Sequence, residues 1–405
     1  MAQSQSSVLS SAVYLDYQAS TPIDESVVDA MCETLRGPCG NPHSSEHAFG
    51  WAARDAVERA REAVAALVGA EASDIVFTSG ATEANNFALF GVAERAPRRR
   101  DTLLVSSIEH ASVLAPARAL STRGFRVIEL PVKGDGRVDM AALDSALNEN
   151  VLLVSIGAVN NEVGTIQDLS AIGIRCRAVG ALFHTDAAQA LTACELPLGE
   201  LPVDFASLSS HKAYGPAGIG ALYVAPGRLN RLAPQLLGGD QQQGLRSGTL
   251  PTALCAGFGR ACEILAAVGQ TEHLRVAALR DHLWQTLVAL IPGLLLNGPC
   301  DSISRHPGNL HMTIEGIDAR DLIQRLQPNL ACSTGSACHS GNEEPSHVLK
   351  ALGFDQHRAR ASLRLSVGRQ TTKNDVLKAA ELIAAALSAE DASRAAVPSG
   401  VLSVA

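Results

Sequence analysis

A two-part α/β fold is predicted for this chain: a mostly parallel seven-stranded sheet in a large domain, followed by a smaller α+β domain. Three observations predict it. Short β-branched runs alternate with longer amphipathic stretches through the first two-thirds, the pattern of strands joined by crossover helices. The last third changes character, becoming mainly helical with isolated short strands. A length of 405 residues gives two or three domains at about 150 residues each.

In chain order, the strand candidates are Ile75–Thr78, Leu103–Ser106, Val127–Leu130, Val151–Ile156, Leu182–Thr185, Phe205–Leu208 and Gly220–Val224. Helical periodicity lies between them, as in Trp51–Val68 and Ser112–Ser121. Helical segments then dominate from Leu254 to Ile291. Strands follow near Leu310–Ile314 and Leu363–Val367, then a helix from Lys373 to Ala389. Residues 14–260 are expected to form the large domain, and 1–13 with 261–390 the smaller one. The Ala/Ser-rich stretch 391–405 reads as a frayed tail.

Composition excludes several function classes. A net charge of -8 leaves no basic footprint for nucleic acid. No stretch approaches the roughly 18 uninterrupted apolar residues of a membrane helix. Residues 1–13 are Ser-rich and uncharged, unlike a signal peptide, so a cytoplasmic location is expected. Nine cysteines at scattered positions form no Cys-x-x-Cys pair, which argues for reduced thiols and against a zinc site.

Chemistry concentrates at strand ends, where α/β sheets bind ligands. Lys212 follows the strand Phe205–Leu208 within Ser209-Ser210-His211-Lys212-Ala213-Tyr214-Gly215-Pro216. Small neighbours suit an imine-forming lysine; a surface lysine in a turn is the competing reading. Asp186 ends an apolar strand, where a carboxylate without a partner would be costly. A pyridinium nitrogen would supply that partner, and a helix N-cap is the plainer alternative. Ser79-Gly80-Ala81-Thr82-Glu83 opens a helix and can cradle a phosphate on backbone N–H groups. Ser209 and His211 would add donors, and Gly215–Gly220 is a rival glycine run. Cys338 lies in a small, polar segment, Cys332 to Ser346, that reads as an exposed, mobile loop. Its thiol is therefore presented rather than buried.

On these residues the chain resembles a cysteine desulfurase, in the aminotransferase class V group of fold-type I pyridoxal phosphate enzymes. The resemblance runs from Tyr14-Leu15-Asp16-Tyr17 to Arg364-Leu365-Ser366-Val367-Gly368-Arg369. It is carried by Gly40-Asn41-Pro42, Thr78 to Glu83, Glu109-His110, Asn160-Asn161-Glu162-Val163-Gly164, Ser209-x-His211-Lys212 and Arg246-Ser247-Gly248-Thr249. Gly335-Ser336-Ala337-Cys338 resembles the longer-loop branch that includes the housekeeping iron–sulfur desulfurases.

The resemblance implies pyridoxal 5'-phosphate as cofactor, with Lys212 as its imine-forming lysine and Asp186 as the pyridinium partner. It implies that Gln189 bonds the ring hydroxyl, and that His110 stacks on the ring and assists proton transfer. Ala81, Thr82, Ser209 and His211 would hold the phosphate. Thr249 would reach the phosphate of a neighbouring subunit in a homodimer. Asn161 would contact both cofactor and substrate, sharing the substrate carboxylate with Arg364. L-cysteine would become L-alanine, its sulfur passing through a persulfide on Cys338 to an acceptor protein such as an iron–sulfur scaffold or a thiolation enzyme. Two positions depart from the family. Cys332 replaces a usually apolar residue, and His339 replaces a small hydroxyl residue. The segments 338–340 and 363–369 also resemble selenocysteine lyases, which leaves selenocysteine open as the substrate; another class V aminotransferase-type enzyme is the more distant alternative.

Overall fold

The computed structural model describes residues 12–335 and 346–395. The chain enters through β1 (Val13–Tyr14), then α1 (Glu25–Arg36), α2 (Ala48–Leu67), β2 (Ile75–Thr78), α3 (Ala81–Glu94) and β3 (Thr102–Ser106). Next come α4 (Ala111–Ser121), β4 (Arg126–Leu130), α5 (Met140–Ala146), β5 (Val151–Ser155), α6 (Leu169–Ala178) and β6 (Leu182–Asp186). The strands β7 (Phe205–Ser209) and β8 (Gly220–Val224) precede the long helix α7 (Thr252–Leu290). The remainder is β9 (Leu295–Leu296), β10 (Asn309–Thr313), α8 (Ala319–Leu326), β11 (Leu330–Ala331), α9 (His347–Ala351), α10 (Gln356–Arg360), β12 (Ser362–Ser366) and α11 (Lys373–Ala395).

All seven predicted strands of the large sheet form, in the order β2-β8-β7-β6-β5-β3-β4. Pairing is parallel throughout except at β8, which runs antiparallel to both β7 and β2. The link from β7 to β8 is too short for a helical crossover, so the chain turns back on itself. That turn carries Lys212. Burial on both faces explains the nearly continuous apolar runs. Leu104, Val154 and Phe183 enter one apolar cluster, while their neighbours Leu103, Leu153 and Leu182 enter the opposite one. Ala53, Val57, Ala60 and Val64 are the buried face of α2, and their spacing of three and four is that of a helix stripe.

A three-stranded antiparallel sheet, β12-β10-β9, and a two-residue parallel pairing of β1 with β11 complete the architecture. Leu15, Leu283, Met312, Leu363 and Ile383 form the core of this second layer. The sequence pattern did not anticipate β1, β9 and β11, because two residues carry no periodicity. β1 straddles the expected division at residue 14 and packs with the second layer.

The expected division at 260 falls inside α7. This helix is long and apolar enough to span a bilayer by composition. It is, however, a core helix: Cys255, Phe258 and Cys262 are buried in the first cluster, Leu279, Leu283 and Leu287 in the third. Gly269, at φ 46°, breaks the helical geometry between the two halves, a conformation that glycine adopts at little cost. At the other end, α11 continues to Ala395, into the stretch read as a tail, since alanine and arginine favour helix.

Candidate active site

At the C-terminal ends of the large sheet's strands lies a cavity of about 460 Å³. The structure brings Ala81, Thr82, His110, Asn161, Asp186, Gln189, Ser209, His211, Lys212 and Arg364 to its lining. Thr249 is exposed and is not part of that lining. Cys338 and His339 lie outside the described residues; the stem before them, Gly335, borders the cavity.

Lys212 ends a short 3-10 turn after β7. Its Nζ donates to the carbonyls of Gln18 (2.6 Å) and Ala19 (2.7 Å). Asp186 closes β6 and accepts from Asn85 Nδ2 (2.7 Å) and Ala188 N (3.0 Å). The N-cap alternative is not realised: the next helical turn, Ala190–Thr192, has Gln189 as its N-cap, while the Asp186 carboxylate bonds the intervening turn and faces the cavity. Asn85 Nδ2 also donates to Ser112 Oγ (2.8 Å), which lies 2.7 Å from His110 Nδ1. Ser112 N donates to the same ring nitrogen at 3.1 Å, so Nδ1 is the acceptor and the neutral ring carries its proton on Nε2. His110 is at once the N-cap of α4 and a lining residue.

Asn85 was not among the candidates read from sequence. The available signal was a buried amide on the apolar face of α3, flanked by Ala84 and Phe87.

The phosphate-type cradle is the N-terminus of α3. Its N-cap, Gly80, has φ +148° with nothing within 4 Å of the place a Cβ would take. The glycine is thus demanded by backbone conformation, and it leaves the first helical N–H groups approachable. Glu83 in that first turn accepts from Ser79 N (2.8 Å) and pairs with Arg246 (2.8 Å). This ion pair ties the Arg246–Thr249 segment to the cradle, and its bonds hold the Glu83 carboxyl below its usual range against the opposing effect of burial. His211 is driven down to about 4 by burial and by Lys212, so it is neutral at pH 7.

Gln189 donates its amide to Gln18 O at 2.9 Å. Arg364, on β12 and almost fully buried, donates to Asn161 O (2.6 Å) and Asp16 Oδ1 (2.7 Å). Beside it, burial pushes Glu162 up to about 7, although Ser346 and Arg364 pull the other way. Glu162 Oε2 accepts from Ser346 Oγ at 2.7 Å, and the Cα of Gly335 packs so closely on its chain that a Cβ would meet Glu162 Cγ at 2.4 Å. Burial likewise raises Glu109 to about 8. The Cys332 thiol is pushed up to about 12 by burial, with Asp16 adding to the effect; it is an inert core-edge group.

Comparison with known proteins agrees with this geometry. The model of the aminotransferase class-V family matches residues 13–378. A cysteine desulfurase IscS of Rickettsia felis is 42% identical over 371 residues, 92% of this chain and 90% of that protein. Among solved structures, a NifS-like protein superposes with a TM-score of 0.86 at 34% identity, covering 93% of this chain and 99% of the other. A structure described as SspA in complex with cysteine gives 0.77 at 34% identity, over 89% and 99%. The chain belongs to the aminotransferase class-V family of enzymes, and within it to the cysteine desulfurases.

Proposed function

We propose that this protein is a pyridoxal phosphate-dependent cysteine desulfurase that converts L-cysteine to L-alanine and passes the sulfur to an acceptor through Cys338. The observation that carries the reading is one cavity bordered by a lysine amine, a strand-end carboxylate, a helix N-terminus and a buried arginine. Each fits one part of pyridoxal phosphate or its substrate. The amine suits an aldehyde, Asp186 suits a ring cation, and the Gly80 cradle suits a phosphate. When bound, the cofactor would supply the electron sink that weakens the substrate's bonds to Cα and at sulfur.

The chain's own residues do the rest. Lys212 Nζ takes and returns the proton at the substrate Cα, and His110 Nε2 serves as the second proton carrier. Arg364 and Asn161 orient the substrate carboxylate; a guanidinium fork suits that geometry. Asn85 holds Asp186 and, through Ser112, the tautomer of His110. The Cys338 thiol attacks the substrate sulfur, so that L-cysteine and one thiol give L-alanine and one persulfide. Ala81, Thr82, Ser209 and neutral His211 hold the phosphate. Exposed Thr249, bound to the cradle through Arg246 and Glu83, completes the site of a second copy in a homodimer. The eight described cysteines are free thiols, which supports a reducing, cytoplasmic setting. A division into a large layer and a smaller one remains part of this reading, with β1 and Leu15 on the smaller side and the boundary inside α7.

The test is product analysis with L-cysteine and L-selenocysteine. Alanine and sulfide from L-cysteine are expected, and Cys338→Ser should cut sulfur release by roughly 10²-fold or more while the bound-cofactor absorbance persists. Turnover of selenocysteine alone would replace this reading with a selenocysteine lyase. Undiminished sulfur release by the serine variant would remove Cys338 from the reaction.

A further inference from the structure

Behind the cavity sits a buried cation held, among the described residues, by neutral oxygens. Arg305 is 3% exposed, and its hydrogen-bond partners among the described residues are carbonyl and amide oxygens. Nε donates to Pro299 O (2.8 Å), Nη1 to Asn309 Oδ1 (2.8 Å) and Val163 O (3.4 Å), and Nη2 to Asn297 O. Burial draws its pKa down to about 10. An arrangement of this kind costs free energy, since no carboxylate among the described residues bonds the guanidinium and the charges of Asp281 and Asp301 offset its desolvation only in part.

Its effect falls on Asn309, a fully buried residue at the start of β10. With Oδ1 taken by Arg305, the amide orientation is fixed and both Nδ2 hydrogens must point the other way. One goes to Gln18 Oε1 (2.6 Å), the other to Glu162 O (2.8 Å). These acceptors belong to different walls of the cavity. The Gln18 carbonyl receives Lys212 Nζ and Gln189 Nε2. Glu162 follows Asn161, whose carbonyl receives Arg364. The turn also packs directly on the amide: a Cβ at Gly164 would lie 2.5 Å from Asn309 Cγ.

We infer that Asn309, oriented by Arg305, is a positioning residue that sets the spacing between the Lys212 wall and the Asn161–Arg364 wall. The inference rests on the proposed function for its kinetic consequence, and on the geometry together with cofactor binding for its spectroscopic one. Asn309→Asp is the informative variant. It preserves shape and the acceptor for Arg305, and gives that cation a carboxylate, but it cannot donate to Gln18 or Glu162.

In the full chain purified with pyridoxal phosphate, this variant should raise KM for L-cysteine about 10-fold or more, the scale expected of a sub-ångström to ~1 Å misplacement. It should also shift the pH midpoint of the bound-cofactor absorbance, while the melting temperature holds or rises. Asn309→Ala serves as a second variant with the same expected KM and midpoint changes. Wild-type KM and midpoint in both variants would overturn the inference. A parallel fall in melting temperature with unchanged KM would assign Asn309 to fold stability alone and likewise overturn it. If wild-type protein forms no alanine from L-cysteine, the functional reading fails by itself, and the absorbance midpoint still decides the role of Asn309.

Discussion

The two walls of the cavity hold their polar groups in opposite ways. On the large-sheet wall, Lys212 and Asp186 sit at strand ends, half-buried, each bonded to neighbouring backbone or amide groups. On the small-sheet side, Arg364 lines the cavity from mid-strand on β12, and His311, its partner on β10, and Glu162, 3% exposed, lie buried beside it outside the lining. The first wall takes its geometry from where strands stop. The second takes it from charge pairing inside a core, so there protonation and packing are coupled. Glu162 is pushed up to about 7 and His311 down to about 3, both mainly by burial.

If the walls divide the work, covalent chemistry with the cofactor belongs to the first and substrate recognition to the second. Lys212→Ala is the largest expected effect: turnover should fall on the order of 10³-fold or more, with loss of the bound-cofactor absorbance. Arg364→Lys keeps the charge but loses the fork that spans Asp16 and Asn161. It should raise KM for L-cysteine about 10- to 100-fold, matching ~1.5–3 kcal/mol for a charged hydrogen bond, and leave the absorbance intact. Loss of absorbance in the arginine variant would break the division.

The smallest effect sharpens the coupling of charge and packing. Folded Glu162 holds its proton up to about pH 7, while the ordinary value is 4.5. Between those limits the folded state binds the extra proton, so this group makes stability fall as pH rises, and the contribution is complete below 4.5. Denaturant titrations at pH 5 and pH 8 should therefore show a smaller loss in Glu162→Gln than in wild type, by on the order of 1 kcal/mol. Comparing the two proteins cancels the parallel contribution of Glu109, raised to about 8, while His311, 3.9 Å from Glu162, contributes in the opposite direction. An identical pH slope in both would mean that Glu162 is ionised in the folded protein at pH 5.

Legibility followed the same division. Lys212, Asp186 and the Gly80 cradle could be read from the chain because each lies directly after an apolar strand, so local pattern places it at the sheet's edge. Arg364 was legible as a candidate, yet its ion pair with Asp16, 348 residues away, was not. Asn85, Gln18 and Asn309 escaped notice altogether. Each is an amide whose meaning depends on partners 101 to 291 residues distant, and no periodicity records such a contact.

By itself the sequence determined the seven strands, the helices that cover them and the strand-end residues of the first wall. It did so because alternation, turn chemistry and burial act over a few residues at a time. Only the tertiary structure decided that β8 reverses, that α7 is shared by two cores across Gly269, and that one amide joins both walls. Those outcomes depend on which distant groups become neighbours when the sheets pack. Once water is excluded, most buried donors and acceptors must find their partners there.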